Sequence, residues 1–152
     1  MYYGQPYTSL YPGTNGAVSF TPRSGHEAWS YDVSMPNTTA ADYSFIPSGD
    51  HKNSAFLVFQ DTYPGAGSPP ANSGIWHGQL GAAPCRTYVL SIYRLPLYRC
   101  TSDNESTYQM VFYEGTNIID VYVQKRTVCN SWNEGNGVIG VLSQQGNMAV
   151  VP

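Results

Sequence analysis

Along residues 86–95, RTYVLSIYRL, apolar and polar side chains change places at every second position: Tyr88, Leu90 and Ile92 fall on one side, Val89, Ser91 and Tyr93 on the other. That period belongs to a β-strand with one buried face. Pro96 is expected to end its regular pairing, because proline has no amide hydrogen to give to a ladder. Residues 101–106, TSDNES, read as a polar loop. Residues 107–113 and 118–124 then form two strands joined by Glu114-Gly115-Thr116-Asn117, a connection with turn chemistry in which Gly115 is expected to supply permissive dihedrals. In the second of them Ile119, Val121 and Val123 alternate with Asp120, Tyr122 and Gln124. A slip of one residue would turn an aspartate into the core, so the register is well specified.

Shorter signals surround this centre. The dipeptide Asn15-Gly16 marks a tight turn into a strand over 16–21, and SAFLVFQ at 54–60 is a nearly unbroken apolar run that fits a buried strand. IWHGQL at 75–80, GVIGVL at 137–142 and residues 148–151 are further strands. The stretch 22–52 mixes turn formers with isolated aromatics and reads as loops with one or two short strands. No segment carries the 3.6-residue period of a helix. The fold class expected is therefore all-β, an antiparallel β-sandwich, with residues 1–152 as a single module, a loop-rich segment at 22–52 and a central sheet at 86–126.

Composition agrees and narrows the function classes. Thirteen tyrosines, fifteen glycines and eleven prolines stand against a charged fraction of 11%, about half the usual share. A net charge of −3, with seven Lys and Arg dispersed along the chain, provides no basic stripe for phosphates and argues against nucleic acid as a partner. No apolar run is long enough to cross a bilayer, so membrane insertion is not expected.

Candidate chemistry is sparse. His26, His51 and His77 are too far apart in sequence to share a helix or strand face as zinc ligands. No nucleophile elbow and no phosphate loop occurs, and Glu114 reads as part of a turn. No enzyme activity and no cofactor are expected. Asp50 and Asp61 are the weak candidates for calcium, set against the plainer reading of solvated loop aspartates. Trp29, Trp76 and Trp132 are candidate contact aromatics, for a protein partner or for a surface polysaccharide, although most aromatic residues will serve the core. If 86–95, 107–113 and 118–124 run as a meander, Cys100 and Cys129 leave the sheet at the same end, which makes a Cys100–Cys129 disulfide reasonable; the alternative is three reduced core cysteines. Cys85 sits at the opposite end, a free thiol or one bonded to another chain.

Several segments resemble a family of β-sandwich modules in large surface and secreted proteins of gliding bacteria that use type IX secretion, related in layout to the nidogen-type extracellular domain. They are YYG at 2–4, NGAVSF at 15–20, LGAAPCRTYVLSIYRLPLYRC at 80–100, YQMVFYEGTNIIDVYVQKRTVCNSWNEGNGVIGV at 108–141 and the Gln-Gly pair at 145–146. The resemblance implies an extracellular, non-catalytic structural or adhesive module, with other modules or copies of itself as partners. Relatives commonly carry another cysteine upstream that would partner Cys85, and further strands at both ends. The chain is therefore expected to be incomplete at one or both ends and to assemble through open sheet edges. The alternatives are a carbohydrate-binding, lectin-like domain and a self-assembling extracellular filament subunit. Trp132 is expected to lie over the disulfide and cap one end of the sandwich.

Overall fold

The computed structural model describes residues 1–22, 51–65, 70–146, 148–150 and 152, with the side chains of 102–104 left aside. The stretch read as loop-rich, with Trp29, His26 and Asp50, lies almost wholly outside the described residues. Among the described residues nine strands form two antiparallel sheets, an all-β architecture consistent with a β-sandwich: β1 (Tyr11–Pro12), β2 (Ala17–Ser19), β3 (Ser54–Phe59), β4 (Gly74–Leu80), β5 (Thr87–Leu97), β6 (Cys100–Tyr113), β7 (Ile119–Lys125), β8 (Val138–Leu142) and β9 (Ala149–Val150). One short 3-10 turn, Asn133–Gly135, interrupts the connection between β7 and β8. The chain divides into two compact units, one from 1–8 and 62–127, the other from 9–61 and 128–152.

The second unit holds the five-stranded sheet, in the order β1-β2-β3-β8-β9. Its centre is β3, whose six residues are all buried, so a continuous apolar run is what its position demands. Phe56 and Phe59 are three residues apart, a spacing that would put them on opposite faces of a regular strand. A register shift between them against β8 resets the alternation, and their rings meet at 5.8 Å, with the buried His51 ring 4.9 Å from Phe59. Gly16 is required where it stands. It takes a positive φ of 83°, and an added Cβ would lie 2.9 Å from the Val58 carbonyl oxygen. β1 escaped the sequence reading because Leu10-Tyr11-Pro12-Gly13 looks like a turn; as a two-residue edge strand it tolerates its proline.

The first unit holds the meander β4-β5-β6-β7. Cross-strand pairs Leu90↔Met110 and Ile92↔Tyr108 place four side chains, each no more than 1% exposed, on one face, and Val121 pairs with Met110 on that side. The alternation read in β5 and β7 is thus the real one. Burial fades across β7, where Val123 is 44% exposed, as befits an edge strand.

Three local expectations are corrected. Pro96 does not end β5: pairing continues to Leu97, because breaks in register between Ile92 and Leu95 and between Pro96 and Leu97 remove the need for a donor there. The Pro96 carbonyl accepts from the Tyr63 N–H at 2.8 Å. Residues 101–106 are not a loop between strands but part of β6, which begins at Cys100 after a tight turn at Tyr98-Arg99, with Arg99 at a φ of 63°. The ladder steps from Leu97↔Cys100 to Pro96↔Glu105, and backbone pairing asks nothing apolar of the residues in between. In the β6–β7 turn the positive φ falls on Asn117, at 58°, and not on Gly115, because the Asn117 N–H closes a five-residue turn onto the Tyr113 carbonyl.

Candidate functional site

The first unit places two features side by side: an unguarded sheet edge and a row of aromatic and polar side chains beside it. β4 and β7 are the edges of the four-stranded sheet. β4 reads GIWHGQL, without charge or proline, and five of its seven residues are exposed. β7 carries Asp120 and Lys125. A flat, uncharged edge offers unpaired backbone groups to another strand, whereas charges discourage such pairing. Among the described residues no strand pairs with the outer side of β4.

Register generates the row. Trp76 pairs with Ser91, Ser91 with Gln109 and Gln109 with Tyr122, so one side chain from each of four neighbouring strands projects from the same face. Its ends are open to solvent, Trp76 being 60% and Tyr122 52% exposed. Its middle is tied together, Gln109 Nε2 donating to Ser91 Oγ at 2.8 Å. The Tyr122 hydroxyl donates to Asp120 Oδ2 at 3.1 Å. Hydrogen bonding with Tyr113, then with Asp120, pushes that hydroxyl up to about 12, so it remains a neutral donor through the physiological range. Gly74 makes room for the indole: a Cβ there would come within 3.2 Å of Trp76 Nε1, so the ring lies back along its own strand. Trp76 was singled out in the sequence; Ser91, Gln109 and Tyr122 were not, because only pairing across three ladders brings them together.

The remaining sequence candidates have structural surroundings. Cys100 and Cys129 are disulfide-bonded, Cys129 buried and Cys100 at the head of β6, while Cys85 is free and exposed. Asp61 accepts a hydrogen bond from Trp132 Nε1 at 2.7 Å; partial burial raises its pKa and the indole N–H opposes that rise. The polar edge of Trp132 is thus committed to a carboxylate beside β3. His77 lies exposed on the face of β4 away from Trp76, its ring 5.9 Å from that of Tyr88. Among the described residues no three His, Cys, Asp or Glu side chains gather as a metal site would require.

Three of the motif segments, YYG, APCR and YEGTN, have their contacts at the end of the sheet where β5 begins. Tyr2 and Gln5 exchange backbone hydrogen bonds around Tyr3 and Gly4, both at positive φ, and the Met1 nitrogen donates to Asn117 Oδ1. Arg86, just before β5, grips the Glu114 carboxylate with its backbone N–H, Nε and terminal nitrogen, while the Glu114 N–H returns a bond to the Arg86 carbonyl. Glu114 is therefore a clamp on the β6–β7 turn, with Arg86 a partner that sequence alone did not reveal.

The Arg86 guanidinium and backbone N–H hold the Glu114 carboxyl down at about 2, against an ordinary value of 4.5. A depressed carboxylate contributes stability that is complete above 4.5 and is lost as pH falls toward 2. Thermal melts followed by circular dichroism should show the wild type losing stability through that window. Glu114→Gln should melt lower at neutral pH and change less on acidification; equal acid sensitivity in the two proteins would remove the clamp from the account.

The family model described as NIDO related matches residues 1–152. No curated protein and no solved structure matches the chain. With the match running from one end of the sequence to the other, the chain belongs to the NIDO-related family.

Proposed function

We propose that this chain is a non-catalytic structural and adhesive module of a bacterial surface or secreted protein, joined to its partner by strand addition at β4. Family membership and a disulfide support an extracellular setting. In this reading the module works without catalysis or a cofactor; the sequence carries no nucleophile elbow and no phosphate loop, and Asp61 is engaged by Trp132. Type IX secretion and a part in gliding motility remain within the proposal through the sequence motifs alone.

The observation that carries the reading is the contrast between the edges. β4 is seven residues long, uncharged and exposed; β7 is charged, and β1 and β9 have two residues each. Strand addition exploits such an edge, the ladder supplying affinity and the side chains on either face supplying selectivity. We take the partner to be a second copy. One long uncharged edge among the described residues favours a two-fold pair that closes on itself over an open filament, which needs two different surfaces.

Sedimentation velocity over a concentration series tests this, on a Cys85→Ser background so that disulfide exchange plays no part. The parent should show a concentration-dependent dimer, and His77→Lys with Gln79→Lys, two charges placed on the edge, should remain monomeric. A parent that stays monomeric throughout, or a double-lysine variant that dimerises equally well, would refute strand addition at β4.

A further inference from the structure

We propose that the row Trp76, Ser91, Gln109 and Tyr122 is a binding strip for a neutral oligosaccharide chain. Its parts match the two characters of a sugar ring. The C–H face of a pyranose is apolar and stacks on an aromatic ring, while its hydroxyls need donors and acceptors close by. Here an exposed indole and an exposed phenol close the ends of the row, separated by three inter-strand spacings, about 14 Å. Between them stand a side-chain amide and a hydroxyl already hydrogen-bonded to each other. A short oligosaccharide laid across the strands would meet ring, hydroxyl, amide and ring in turn.

The floor suits a ligand that lies flat. Gly74 and Gly78 flank Trp76 on the same strand and face, and a Cβ added at Gly78 would meet nothing within 4 Å. With the indole leaning over Gly74, the strip beside it is open at Gly78. Side chains of ordinary size at both positions would hold the indole upright and fill the floor.

Charge selects the class of ligand. The row has no cation, so it cannot compensate a phosphodiester or uronate chain, and the Asp120 carboxylate beside Tyr122 would repel one. An apolar protein surface fits poorly as well. Covering the Gln109–Ser91 pair with apolar groups would strip water from an amide and a hydroxyl that have further hydrogen bonds to make. A neutral polyol supplies those bonds. The inference adds a ligand class to the adhesive reading and rests on it only for the expectation of a contact surface; the row is on the face of β4 that the lysine substitutions at 77 and 79 leave untouched.

Affinity gel electrophoresis in gels containing xyloglucan, galactomannan, mixed-linkage β-glucan or, as an anionic probe, alginate tests the proposal. The full chain should be retarded by at least one of the three neutral polymers and not by alginate. Trp76→Ala and Tyr122→Ala, both at exposed positions and checked for an unchanged circular dichroism spectrum, should each weaken that retardation roughly tenfold or more. The His77→Lys, Gln79→Lys variant should bind as the parent does, which separates sugar binding from strand addition. Absence of retardation by all three neutral polymers, retardation by alginate, or undiminished binding by both alanine variants would overturn the proposal and leave the sedimentation result standing.

Discussion

Replacing Tyr108 by alanine is expected to destabilise the protein by about 3–5 kcal/mol, the usual cost of removing a fully buried aromatic ring. Tyr108 is 1% exposed and paired across β6 with Ile92 on one side and Val123 on the other. Its neighbours Ile92, Leu90 and Met110 are wholly inaccessible, so the hole left by the ring has no flexible surface group to fill it. Trp76→Ala removes a larger ring from the same sheet and should cost less than about 1 kcal/mol, because most of that ring already faces water. Urea unfolding of both variants gives the comparison directly. Similar losses for the two substitutions would mean that the buried face of the meander has been misassigned, and with it the face on which the aromatic row lies.

Removing the disulfide should come next in size. Cys100→Ser with Cys129→Ser, built on Cys85→Ser to exclude exchange with the free thiol, is expected to lose about 3–4 kcal/mol. Opening a loop of about 30 residues returns that much entropy to the unfolded chain in the loop-closure treatment. The serine at 129 would also sit at a position that is 3% exposed, adding the cost of a buried hydroxyl unless Ser131, whose Oγ lies 3.5 Å from the present sulfur, takes it as a partner. Guanidinium unfolding measures the difference. A loss below about 1 kcal/mol would show that the unfolded chain is already compact around the β6–β7 hairpin, so that the bridge constrains little.

These two expectations draw on different kinds of information. That Tyr108 belongs to a strand is visible in its alternation with polar neighbours; that it is buried while Trp76 is exposed is not. Both are aromatic residues on strands of one sheet. Position decides between them: Tyr108 is on an inner strand, on the face shared with Leu90 and Met110, and Trp76 is on an edge strand and on the other face. Likewise, the polar run 101–106 concealed the start of β6, because hydrophobic periodicity reports burial and not backbone pairing. Arg86 and Glu114, 28 residues apart, and Asp61 and Trp132, 71 apart, form specific hydrogen bonds that no local pattern announces.

The all-β class, the places of most strands and the turn at Asn15-Gly16 were legible along the chain. Side-chain alternation and turn chemistry are local properties, readable within a window of a few residues. Which face of each strand is dry, which edge has no partner among the described residues, and the alignment of Trp76, Ser91, Gln109 and Tyr122 in one row come from the assembled sheets. Those facts depend on register across three ladders, which no window of a few residues spans. Register is settled by the packing of the whole sheet, where each strand's buried face must match its neighbour's.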